Sequence, residues 1–149
     1  MIYPAALAAS VVFFLDRITK IAAAGNMSSG ESISILPKIF HLTLVLNNGT
    51  AFGLMKGQNS ALAAFTLLAV IAIIFYIVTR KGLNPVVSSA LGLTLGGALG
   101  NLFDRIRFGY IIDFLDFRIW PVFNVADSAI TIGMVMLAWH LLTKREFFR

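Results

Sequence analysis

Four apolar runs, about Pro4 to Ala24, Ser60 to Thr79, Val86 to Phe103 and Val125 to Leu142, constrain the fold of this chain more than any other feature. Each approaches the roughly 20 residues that an α-helix needs to cross the hydrocarbon of a bilayer. Inside lipid the backbone must satisfy its own polar groups, which leaves helices or closed barrels. A barrel would show segments of about ten residues with alternating polarity, whereas these runs are continuous. With 58% hydrophobic residues, 13% charged residues and a mean hydropathy of +0.86, the chain is too apolar for a soluble domain. The expected architecture is mainly α: a single integral membrane domain over residues 1–149, with four transmembrane helices and a small extracytoplasmic β platform.

The first run is read as a retained helix rather than a secretory signal. No basic stretch precedes it, and Asp16, Arg17 and Lys20 interrupt its far half. The net charge of +5 does not point to nucleic acid, because the basic residues are scattered without an aromatic-basic stripe. Cysteine is absent, which excludes disulfides, thiolate catalysis and zinc–thiolate sites. Any nucleophile must be water, Ser, Thr, Lys or a carboxylate.

Four spans place both termini and the 80–85 connection on one side. Arg80, Lys81, Lys144, Arg145 and Arg149 crowd into that short turn and tail, against Lys38, Lys56, Arg105, Arg107 and Arg118 spread over the other side. Crowding beside helix ends is where the positive-inside bias acts, so both termini are expected in the cytoplasm. The connections at about 25–59 and 104–123 then lie outside. In the first, Phe40, Leu42, Leu44 and Leu46 alternate with His41, Thr43, Val45 and Asn47, the rhythm of a strand. Gly49, Gly53 and Gly57 punctuate the path into helix 2. Such a platform could hold an extended peptide by edge pairing or simply cap the bundle. Tyr3, Tyr76, Trp120 and Trp139 fall near helix ends, as interfacial anchors do.

Helix 3 carries Gly92, Gly96 and Gly100 at four-residue steps with Gly97 beside them, a spacing that lets helices approach closely in lipid. Asn101 and Arg105 share one face at its outer end. They are either donors directed into a cleft or, with Asp104, part of a solvated or ion-paired helix end. Asp16 and Lys20 form an i, i+4 pair whose plain purpose is mutual neutralisation. Lys20 as the base of a Ser-Lys hydrolase lacks a serine in a recognisable nucleophile context.

Asp113 and Asp127 remain, fourteen residues apart in a chain that avoids charge. A carboxylate at the edge of hydrocarbon is costly unless paired, solvated or used. Asp127 has a structural competitor, since Asn124 can be the N-cap of helix 4 with Asp127 as its third residue. Asp113 and Asp116 can be solvated loop acids, although Ile112 and Phe114 flank Asp113 and favour a raised pKa. His41 and His140 are isolated, and no His-x-x-His or His-Glu constellation suits zinc. A metal held by aspartates stays open.

As a set, five motifs resemble the bacterial lipoprotein signal peptidases (signal peptidase II), a family of membrane-embedded aspartic proteases: LDRITK at 15–20, LNNGTAFG at 46–53, GGALGNLFDR at 96–105, GYIIDF at 109–114 and PVFNVADSAITIG at 121–133. The resemblance runs nearly end to end and departs mainly at Thr50, where the family usually has Ala. It implies a catalytic dyad at Asp113 and Asp127. It further implies substrate-binding or site-organising roles for Asp16, Lys20, Asn47, Gly49, Asn101, Arg105 and Asn124, while Asp104 and Asp116 match motif positions outside the dyad. The implied substrate is a prolipoprotein whose cysteine carries diacylglycerol, cut on the N-terminal side of that cysteine. No cofactor, metal or nucleic-acid partner is expected. The enzyme is expected to be a monomer in the bacterial cytoplasmic (inner) membrane, acting at its extracytoplasmic face.

Two other classes compete. A small transporter would need polar residues along the middle of several helices, and helix 2 has almost none. A noncatalytic scaffold would explain the glycine steps and aromatic anchors but gives no reason to gather Asn101, Arg105, Asp113, Asn124 and Asp127 at one membrane face.

Overall fold

The computed structural model describes residues 2–49, 58–80 and 82–143, in the order α1 (Tyr3–Asn26), β1 (Ser32–Leu36), β2 (Phe40–Asn47), α2 (Asn59–Thr79), α3 (Pro85–Phe108), β3 (Ile111–Asp116) and α4 (Val125–Thr143). Thr50, Gly53, Lys56 and Gly57 lie outside the described residues, as do Lys81, Lys144, Arg145 and Arg149.

Local chemistry sets the helix ends. At the start of α3, Asn84 Oδ1 accepts the Val86 N–H at 2.8 Å, and Pro85 supplies a preset φ where no intrahelical donor is needed. At its end Gly109 adopts φ 82° and returns its N–H to Arg105 O, a left-handed cap that glycine takes without steric cost. This cap carries α3 to Phe108, five residues beyond the expected end at Phe103. Asp104 and Arg105 are therefore helical residues rather than part of the connection that follows α3. At the start of α4, Asn124 Oδ1 accepts the Asp127 N–H at 2.9 Å, and Asp127 Oδ2 accepts the Asn124 N–H at 3.3 Å. This reciprocal arrangement is a capping box.

Among the described residues three helices, α2, α3 and α4, are long and apolar enough to cross a membrane. The apolar window of α3 is 61% buried, against 11% in α2 and 17% in α4, so α3 is the axis around which the others pack. Its glycines make this approach feasible. A methyl on Gly96 would stand 2.5 Å from Ala9 O, and one on Gly92 would run into Ala5 O; on the other side, methyls on Gly97 and Gly133 would strike Ala126 and Thr94. Close backbone approach gives dispersion contacts that lipid would otherwise supply, so small residues mark the seams. The core at the centre is Ala5, Ala9, Val70, Ile77, Leu91, Leu95, Ala98 and Leu102.

The sheet has the order β1-β2-β3, antiparallel throughout. The alternating segment forms β2 as its pattern predicts. Its second partner was not expected: residues 111–116, placed by the sequence in a connection, form strand β3, with Val45 opposite Asp113 and His41 opposite Asp116. A bulge between Leu42 and Val45 shifts the register, which bends the strand and redirects its side chains. The platform thus draws on both of the longer connections between helices.

Candidate active site

Asp113 sits in β3 and Asp127 in the first turn of α4, and both line one cavity of about 310 Å³ with Asn47, Asn101, Arg105 and Trp120. Asp113 is 2% exposed. Side-chain amides meet both of its oxygens: Asn124 Nδ2 donates to Oδ1 at 2.7 Å and Asn47 Nδ2 donates to Oδ2 at 2.9 Å. Asn101 Nδ2 donates to Asp127 Oδ1 at 2.7 Å.

The orientation of each amide follows from its other partner. Lysine can only donate, so Lys20 Nζ, 3.0 Å away, requires Asn101 to present Oδ1 and leaves Nδ2 for Asp127. Asn124 has its Oδ1 taken by the Asp127 N–H, so Nδ2 is free to reach Asp113. Asn47 accepts the Gly49 N–H on Oδ1 at 3.0 Å, a local turn that turns its donor toward Asp113. Gly49 therefore serves the site through its backbone.

Burial pushes the Asp113 carboxyl up to about 7, the nearby charge of Asp127 adds to the rise, and the donors Asn47 and Asn124, with the Lys20 charge, oppose it. Asp113 thus holds a proton close to neutral pH. Arg105 lines the same cavity, and its carbonyl accepts Asn59 Nδ2 at 3.0 Å, which ties the start of α2 to the end of α3.

Behind the cavity, Lys20 is fully buried and lies 2.9 Å from Asp16 Oδ2 and 2.8 Å from Asp104 Oδ2. Arg17 reaches both acids as well, at 3.1 and 2.7 Å. The approach to Asp104 Oδ1 is off the direction of a hydrogen bond, which leaves that oxygen and Arg17 Nε without hydrogen-bond partners. The plain reading of Asp16 and Lys20 as a neutralising pair was therefore too small, and Asp104, for which solvation or an ion pair with Arg105 was left open, pairs with Arg17 and Lys20. Asp104 turns to α1. A signal for this was available: Gly92, Gly96 and Gly100 continue at the same four-residue step to Asp104, so the acid stands on the face that meets α1.

Other expected residues go elsewhere. Asp116 accepts Thr43 Oγ1 at 2.7 Å and the Arg118 N–H at 2.8 Å on the sheet. His41 Nδ1 meets Arg118 Nη2 at 2.8 Å, and His140 lies in the last turn of α4. Trp120 was read as an anchor; it is exposed and also lines the cavity. Among the described residues no three His, Cys, Asp or Glu side chains are grouped to hold a metal ion.

A family model, Signal peptidase (SPase) II, matches residues 8–143. This chain belongs to the signal peptidase II family. Its members are aspartic peptidases of the membrane. Among its relatives, the lipoprotein signal peptidase of Pelotomaculum thermopropionicum is 45% identical over 92% of this chain and 90% of its own length. That of Halothermothrix orenii is 44% identical over 88% and 90%. A solved bacterial membrane enzyme superposes with a TM-score of 0.90 at 32% identity, covering 97% of this chain and 91% of that one. A second gives 0.85 at 33%, covering 94% and 93%. The signal peptidase II assignment thus spans the helices, the sheet and the cavity together.

Proposed function

We propose that Asp113 and Asp127 are the catalytic dyad of an endopeptidase that removes the signal peptide from diacylglyceryl-modified prolipoproteins, cutting on the N-terminal side of the lipidated cysteine. One observation carries this reading: two carboxyl groups from different elements line one cavity and are linked through Asn101 and Asn124. Two nearby carboxylates cannot both ionise easily, so the pair holds one proton. Asp127, the ionised member, takes a proton from a water in the cavity as that water adds to the scissile carbonyl. Asp113 gives its proton to the carbonyl oxygen. Collapse of the tetrahedral intermediate expels the amine, which leaves with a proton returned by the dyad. Arg105 and Asn47 orient the substrate backbone across the cavity.

The same reading makes α1 the fourth span. Leu7, Val11, Phe14, Ile18 and Ile21 are exposed at helical spacing, a lipid-facing stripe, while Asp16 and Lys20 turn inward and neutralise each other. Both termini then lie in the cytoplasm and the sheet and dyad at the outer face of the bacterial cytoplasmic membrane, with the protein acting as a monomer. A site at the membrane surface suits a peptide delivered by its own lipid.

To test the dyad, Asp113→Asn and Asp127→Asn are purified separately and assayed on a peptide carrying diacylglyceryl-cysteine. Each is expected to lose at least about 100-fold in kcat, since an acid–base group is worth roughly 10²–10⁴. Near-normal turnover in either folded variant would sink the assignment.

A further inference from the structure

Lys20 is the hub of a buried arrangement with an unexpected symmetry. One of its acidic partners, Asp16, accepts the Ala126 N–H on Oδ1 at 3.0 Å, and Ala126 immediately precedes Asp127. The other, Asp104, accepts the Ile112 N–H on Oδ2 at 3.2 Å, and Ile112 immediately precedes Asp113. Each carboxylate held by Lys20 therefore grips the backbone one residue before a member of the dyad. The third bond from Lys20 goes to Asn101, which orients Asp127 directly. Asp16, Lys20, Asp104 and Asn124 have relative exposures of 0%, so none of these four side chains touches solvent. Gly100 makes room for it, since a methyl there would stand 2.6 Å from Asp16 Oδ2.

We propose that Asp16, Lys20 and Asp104 form a spacer that fixes the separation of the Asp113 and Asp127 carboxyl groups, and that these three are positioning residues for the reaction. A buried ion pair is seldom retained for stability, because well-packed apolar residues serve as well. Here the charged geometry has a specific output at both aspartates. The inference rests on the dyad reading. The charged groups around the pair are Asp16, Arg17 and Lys20 from α1, Asp104 and Arg105 from α3, and the two aspartates themselves.

The test compares Lys20→Met, Asp104→Asn and the double variant, with kcat, KM and the pH profile measured on the diacylglyceryl peptide and the folded fraction read by thermal unfolding in detergent. Each single variant is expected to lower kcat by roughly 10- to 100-fold, as a sub-ångström to ångström misplacement does, with KM changed by less than about threefold. Loss of the Lys20 charge moves the alkaline limb to higher pH, and loss of the Asp104 charge moves it to lower pH. The double variant restores charge balance, so its limb returns toward that of the parent while kcat stays low. Lys20→Arg keeps the charge and alters the reach, and is expected to lower kcat with the limb unmoved. Recovery of kcat in the double variant, kcat within twofold of the parent in Lys20→Arg, or losses that only track the folded fraction would each overturn the spacer. Asp113→Asn and Asp127→Asn in the same assay separate the two readings. Normal turnover there removes the dyad, whereas inactive dyad variants beside a normal Lys20→Arg remove only the spacer.

Discussion

Asn124 Nδ2 donates to Asp113 Oδ1 at 2.7 Å, and this bond joins the start of α4 to strand β3. The same residue caps its helix through Oδ1, so one side chain fixes the conformation of Asp127 and the hydrogen bonding of Asp113. Capping and site assembly are not rival explanations of Asn124; they use its two different atoms.

The two roles separate by substitution. Asn124→Ala is expected to lose both, with about 1 kcal/mol of stability from the cap alone and a large fall in turnover. Asn124→Ser keeps a capping oxygen but is too short to bridge to Asp113. It should be more stable than Asn124→Ala in thermal unfolding and equally poor in the peptidase assay.

Asn47 gives a prediction about pH. Its donor stabilises the ionised form of Asp113, whose carboxyl burial holds up at about 7. Asn47→Ala removes that donor, so the Asp113 carboxyl rises further and the alkaline limb of kcat/KM moves to higher pH. A limb that stays in place or moves down would show that Asn47 does not act on Asp113.

Stability should also depend on pH through Asp113. An ordinary Asp titrates near 3.8, and the folded group titrates near 7. Between these values the unfolded chain has released its proton while the folded one retains it. Raising the pH therefore favours the unfolded state across this window, and the effect is complete above about 7. Relative to Asp113→Asn, the parent should lose stability from about pH 4 to about pH 7 and then level off, as read by chemical unfolding in detergent at fixed ionic strength.

The glycine seam makes a mechanical prediction. Gly96→Ala must push α1 from α3, because the new methyl meets Ala9 O and the Val12 side chain at 2.5 and 2.9 Å. A cost of roughly 1–3 kcal/mol is expected from such overpacking. Gly25→Ala, with open space around it, serves as the control and should be neutral or slightly stabilising.

Much of this protein is legible from its chain because much of it is local. Continuous apolar runs specify helices in lipid, the Asn124 to Asp127 spacing specifies a capping box, alternation specifies β2, and the four-residue glycine steps specify a close helix seam. The ordered motifs identify the family and imply the dyad, but the bare residues left Asp113 a loop acid and Asp16 with Lys20 a neutralised pair. Only the tertiary structure adds residues 111–116 to the sheet, turns Asp104 toward α1 and sets one carboxylate behind each aspartate. Those outcomes depend on how far whole elements slide against one another, since a shift of a single strand residue or a fraction of a helical turn would change every side-chain partner. Sequence determined which groups were costly to bury; packing decided which of them meet.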